Sequence, residues 1–316
     1  MTLPDSPPRR KPRRLGLFLP WLLALLLIGG WSLAWVKLRG EAVTRMDAAV
    51  AELRAEGYPV SWQTRTVTGF PFRLDITLTE PRIGEPSGWA LAMPLLKGEA
   101  YIYRLDQWML VAPDGVTVSR PDGGPVTVRA RALRASLGGF GATPPKLSIE
   151  GVDVAVDTPP GGKPSMIQSA DRLELHTRPG PDDQGGVLFR VDGARLRLKG
   201  LPARIAQDRP VSMSWDLTLS KVSGFRGNSW PSAVRRWRDG GGVLTVRSAE
   251  LRGGDALLTG GGGPLRVGLD GRLEGRLDAR LKDADGSGPN FGGPVELKDG
   301  EAKFGPFSLG PSPRIY

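Results

Sequence analysis

His176 is the one histidine of the chain, and no cysteine accompanies it. Those two counts decide most of the catalytic chemistry open to this sequence. They exclude thiolate nucleophiles, cysteine metal sites and multi-histidine zinc sites. A Ser-His-Asp triad would have to use His176, yet the chain has no Gly-x-Ser-x-Gly elbow to present the serine. In Arg172-Leu-Glu-Leu-His-Thr177, Leu173 and Leu175 face inward, while Glu174 and His176 face outward. The histidine is therefore expected to be an exposed structural residue rather than a general base or metal ligand. Asp283-Ala-Asp285-Gly286 opens like a calcium loop, but Pro294 stands where the acid of the twelfth position belongs, so a plain turn is expected. Glycine runs at 138–141 and 260–263 lack the Lys-Ser/Thr of a phosphate loop and are read as turns. The expectation is a protein that is not an enzyme, with no catalytic residue, no cofactor and no metal.

The elements around these residues begin with an apolar run. Residues 15–36 form 22 positions without a charge, about 33 Å as a helix and close to the thickness of a bilayer core. Trp21 lies towards one end, and Trp31 and Trp35 lie towards the other, where amphipathic rings sit at the headgroup level. Arg9, Arg10, Lys11, Arg13 and Arg14 crowd the N-terminal flank. The positive-inside bias then predicts a cytoplasmic tail at 1–14, a transmembrane helix at 15–36 and export of everything beyond. A cleaved signal peptide is the alternative, with Ser32-Leu-Ala34 as the small-x-small site. Paired arginines are also found in twin-arginine export signals. Of the net charge of +10, residues 1–39 hold seven bases and one acid, leaving 36 bases against 32 acids for residues 40–316. A balance of +4 gives little drive for nucleic acid.

Beyond the anchor, residues 37–57 read as a membrane-proximal helix. Val43, Met46, Val50 and Leu53 form one stripe, and Gly57 can take the left-handed position past its end. From 58 to 316 the period becomes two. Phe70, Phe72, Leu74, Ile76 and Leu78 alternate with polar residues over 69–80, and Val211, Met213, Trp215, Leu217 and Leu219 do so over 211–220. The longest alternation spans 265–282. Two-faced strands imply an antiparallel sheet. Asp192-Gly193 and Asp299-Gly300 both suit two-residue hairpins by facing arithmetic. Asp270-Gly271 does not, and a three-residue loop or one continuous strand is expected there. Residues 230–238 are the other helix candidate, with Asn228 or Ser229 as cap and Pro231 in the first turn. The fold class is mostly β: an elongated antiparallel β domain, either a curved sheet or a sandwich, with one or two short helices.

Gly69-Phe-Pro-Phe-Arg-Leu-Asp-Ile-Thr-Leu-Thr-Glu-Pro81, Ser87-Gly-Trp-Ala-Leu-Ala92 and Tyr101-Ile-Tyr-Arg-Leu-Asp-Gln-Trp-Met-Leu-Val-Ala-Pro-Asp-Gly115 resemble the family catalogued as domain of unknown function 2125. The resemblance extends from about residue 40 to Asp299-Gly300 and Gly305-Pro306. It implies a membrane-anchored, mostly β envelope protein of Gram-negative bacteria and transfers no catalytic residue. The Leu-rich, Gly-punctuated C-terminal strands are also similar in style to AsmA-like lipid-transport proteins.

An amphipathic sheet with few covering helices must bury its apolar face against something. Two occupants stay open on periodicity alone: a second sheet, giving a closed core, or acyl chains in an apolar groove. The groove reading takes Phe70, Phe72, Leu74, Ile76 and Leu78 together with Val211, Met213, Trp215, Leu217 and Leu219 as its lining. It expects membrane lipid as partner, envelope proteins as further partners and no nucleic acid, in an inner-membrane protein whose β domain is periplasmic. The alternative function is an envelope scaffold with a closed core.

Overall fold

The structure is a computed structural model that describes residues 15–198, 203, 206–207, 209–283 and 290–316, with side chains from residue 18 onward. The basic tail at 1–14 and the Asp285-Gly286 pair lie outside the described residues. Helix α1 spans Leu15–Ala55 without interruption, so the apolar run and the stripe after it form a single rod. Val50 is buried, and Val43, Met46 and Leu53 are half-buried, as their spacing predicts. Gly57 ends the rod at φ +92°, a conformation glycine adopts without a Cβ penalty.

Strands make up 52% of the chain, in one large antiparallel sheet that does not close. The sheet holds twenty strands among the described residues. The first ten are β1 (Val60–Ser61), β2 (Thr64–Thr68), β3 (Arg73–Thr79), β4 (Arg82–Gly84), β5 (Ala90–Ala92), β6 (Leu95–Tyr101), β7 (Gln107–Val111), β8 (Val116–Arg120), β9 (Gly124–Arg129) and β10 (Ala132–Gly138). They behave as bent strands broken in the middle. One half of the bends pairs in the order β2–β3–β6–β7–β10, and the other half in the order β1–β4–β5–β8–β9. The two halves rejoin on β11 (Lys146–Asp157), which pairs with both β10 and β9. A plain meander follows: β12 (Ile167–Pro179), β13 (Gly185–Leu196), β14 (Val211–Leu219), β15 (Leu244–Gly253), β16 (Ala256–Val267), β17 (Leu273–Asp283), β18 (Phe291–Lys298), β19 (Glu301–Phe304) and β20 (Phe307–Pro311). Helix α2 (Trp230–Asp239) lies between β14 and β15, with Ser229 and Ser232 forming a reciprocal cap.

Asp299-Gly300 makes the expected hairpin, pairing Leu297 with Ala302 and Val295 with Phe304. At Asp270-Gly271 the chain takes the three-residue loop, closed by the Gly268 N–H donating to the Arg272 carbonyl at 2.7 Å. The 265–282 alternation is accordingly the hairpin β16–β17. Two expectations are corrected. Asp192-Gly193 is no hairpin but a bulge inside β13, with Gly193 at φ +59° and the register shifting between Val191 and Ala194. Residues 260–263 are no turn either. They lie inside β16, where Gly263 at φ +62° comes so close to the Arg276 carbonyl that a Cβ would sit 1.9 Å from it. Positive φ and missing Cβ serve a bulge as well as a turn, and only the neighbouring strand decides between them.

Two buried clusters hold the sheet. One gathers Val154, Ala170, Val191, Ala194, Val211, Met213 and Leu251 on the central strands. In the other, Val234 and Trp237 of α2 pack on Val246, Leu265, Val267, Leu273, Leu297 and Ala302.

Candidate functional site

Residues directly opposite one another in an antiparallel ladder share a face, so the registers trace that face across the molecule. One row runs Val67, Ile76, Gly98, Leu110, Ala135, Ile149, Leu175, Phe189, Trp215 and Ala249. Every member is apolar, from β2 to β15. The next row of the opposite face includes Lys97, Arg134, Glu150, Glu174 and Arg190. There Arg134 binds Glu150, and Arg172 bridges Glu150 at 2.6 Å and Glu174 at 2.7 Å. The hydrogen bond from Arg134 holds the Glu150 carboxyl below the usual glutamate range, helped by the charges of Arg134, Arg172 and His176. His176 lies on this polar face beside the Ser148 hydroxyl.

The apolar row is covered at both ends. On the β2–β3 side, α1 is held to β2 through Asp47, whose carboxylate takes two hydrogen bonds from Arg65 at 2.6 and 3.1 Å, and Val50 one turn further along the helix is buried. On the β15–β19 side, α2 supplies Val234 and Trp237. Between them Leu110, Ala135, Ile149 and Leu175 are half-buried and belong to neither buried cluster. The result is an apolar strip several strands wide, open on one side.

The ten residues expected to line a groove divide accordingly. Leu74 and Leu78 are buried, at 1% and 8% exposure. Ile76 is half-buried on the row. Val211 and Met213 belong to the central cluster, whereas Leu217 and Leu219 border the α2 cluster. Trp215 is 39% exposed at the edge of the strip. The two sets do not pair with each other: β6, β7, β10, β11, β12 and β13 separate β3 from β14, and the row between them is what joins the sets. Phe70 and Phe72 leave the set. The expected strand starts only at Arg73, because Gly69 (φ +105°) and Pro71 turn the chain, and both phenylalanines sit on the β2–β3 tip. The residues missed are Leu110, Ala135, Ile149, Leu175 and Phe189. Ala135, Ile149 and Leu175 alternate with polar neighbours, whereas Leu110 and Phe189 each have an apolar neighbour, and only the strand order brings all five into one row.

The tip meets α1. Trp31 Nε1 donates to the Pro71 carbonyl at 3.0 Å, and Trp35 Nε1 donates to the Arg73 carbonyl at 3.1 Å. The Trp31 ring lies 6.1 Å from Phe72, and Trp35 meets Phe70 edge-on at 5.6 Å. Leu27, Ile28, Trp31, Phe70, Pro71 and Phe72 line an apolar cavity of about 450 Å³.

Residues 35–291 match the family described as "Uncharacterized protein conserved in bacteria (DUF2125)". The chain belongs to that family. Its match covers the end of the membrane run, the tip, the whole apolar row and α2. No curated protein and no solved structure matches the chain, and the likeness to AsmA-like proteins gains no support. Among the described residues, α1 is the one helix long and apolar enough to cross a membrane.

Proposed function

We propose that this chain is a non-enzymatic, membrane-anchored envelope protein whose open apolar strip holds acyl chains of lipid or another amphiphile. In this reading α1 spans the inner membrane with residues 1–14 in the cytoplasm, and the β domain stands in the periplasm. The observation that carries the proposal is the strip around Leu110, Ile149 and Leu175, apolar in every register position yet outside both buried clusters. Apolar surface left in water costs about 25 cal/mol per Å². An acyl chain removes that cost at about 0.8 kcal/mol per buried methylene. The anchor supports lipid as the occupant, since it fixes the sheet beside a reservoir of it.

Aspartate substitutions test the reading. A charge at buried Leu74 would be left without a partner and costs several kcal/mol, enough to unfold a domain of about 5–15 kcal/mol. At Ile149 or Leu175, half-buried on the uncovered part of the row, it stays hydrated. Leu74→Asp is expected to abolish folding, whereas Ile149→Asp and Leu175→Asp melt near the wild-type temperature and copurify with less lipid. Unfolding of all three variants, with no lipid on the wild-type protein, would return the function to a scaffold with a closed core.

A further inference from the structure

We infer that the β2–β3 tip is a second membrane contact, with Phe70, Pro71 and Phe72 inserted among the acyl chains of the leaflet that faces the β domain. The inference rests on α1 spanning the membrane and is independent of what the apolar strip holds.

Exposure alone does not carry it. Phe70 and Phe72 are 52% and 59% exposed, but so are other large side chains far along the sheet, such as Phe291 and Phe307. Depth carries it. The tip is held to α1 by hydrogen bonds at Trp31 and Trp35, and the cavity it shares with the helix reaches down to Leu27. The uncharged run ends at Val36. At about 1.5 Å per residue, Trp31 lies about 8 Å and Leu27 about 14 Å inside that end. A helix placed with residues 15–36 in the hydrocarbon therefore carries the tip from the headgroup boundary, where Trp35 meets Phe70, down among the acyl chains, where Trp31 meets Phe72.

The composition of the tip fits that depth. Phe70-Pro71-Phe72 has no charge, and its proline offers no N–H that would need a partner in the bilayer. The neighbouring turn is bound to it, the Ile102 N–H donating to the Phe72 carbonyl at 3.1 Å. That turn carries Tyr101 and Tyr103, stacked 5.1 Å apart and 51% and 69% exposed. Tyrosine is the residue type that settles at the headgroup level, with its ring in the apolar phase and its hydroxyl in water. The apolar core of the tip and its aromatic collar thus follow the layering of one leaflet.

The native chain has no cysteine, so single sites can be labelled cleanly in the full-length protein. Leu27→Cys, Phe70→Cys, Phe72→Cys and Met166→Cys would each carry a nitrobenzoxadiazole dye in vesicles of phosphatidylethanolamine and phosphatidylglycerol. At 70 and 72 the expected result is that of position 27: blue-shifted emission, quenching by doxyl-labelled lipid and loss of quenching by iodide. Position 166, half exposed on the β11–β12 turn, should be quenched by iodide alone. Iodide quenching at 70 and 72 with protection at 27 would overturn the inserted tip while leaving the anchor in place. Iodide quenching at all four would overturn the anchor and the tip together.

Discussion

Glu150 lies between Arg134 and Arg172, and its effect on stability has a definite sign. Its folded-state value is depressed, first by the Arg134 hydrogen bond. The stabilisation is therefore complete above the ordinary glutamate value of about 4.3 and is lost as pH falls through the lower folded value. Glu150→Gln should melt below the wild type at neutral pH, and the gap should vanish on acidification. Calorimetry at several pH values reads this directly. Gly69 has a sterner role: at φ +105° a Cβ would stand 2.6 Å from the Arg73 carbonyl. Gly69→Ala is expected to cost about 1–3 kcal/mol and to loosen the tip, which thermal melting and limited proteolysis would register. At this scale the sequence was read unevenly. His176 was legible as an outward residue from its alternation alone. Gly193 was not, because an Asp-Gly pair suits a hairpin and a bulge equally until the partner strand is known.

Among the elements, α2 was legible from its cap, its proline and its final glycines, but its partner was not. Its work is done by Trp237, 2% exposed, whose indole N–H donates to the Ser220 carbonyl at 2.7 Å. Gly242 leaves room for that ring, since a Cβ there would lie 2.2 Å from it. Trp237→Ala should destabilise the domain by about 3–5 kcal/mol, measurable by denaturant unfolding, and Gly242→Val should act in the same direction by expelling the ring. The strands β3, β14, β16 and β17 were visible because their alternation persists. Apart from β3, the halves of the bent strands, β1 with β2 through β9 with β10, were not, since breaks at Trp62-Gln63, Glu80-Pro81, Met93-Pro94, residues 112–115 and Ala130-Arg131 interrupt the period before it accumulates.

For the whole molecule, periodicity told that there is an apolar face, and the registers told that it is one face. Neighbour order is a long-range property: Ile76 and Trp215 share a row only because six strands carry it between them. The docking of the tip on α1 was hidden for the same reason, as Trp31 and Pro71 are forty positions apart. In the orientation proposed from the basic flank, a phosphatase reporter fused at Tyr316 should be active while a cytoplasmic reporter there is silent. Occupancy of the strip is the central claim, and photo-crosslinking in the intact envelope tests it most directly. Benzoylphenylalanine would replace Leu175 on the strip or Glu174 on the polar face of the same strand, with adducts identified by mass spectrometry. Lipid adducts at position 175 and none at 174 are the predicted result. Protein adducts alone at 175, or no adduct there at all, would contradict the lipid-holding account.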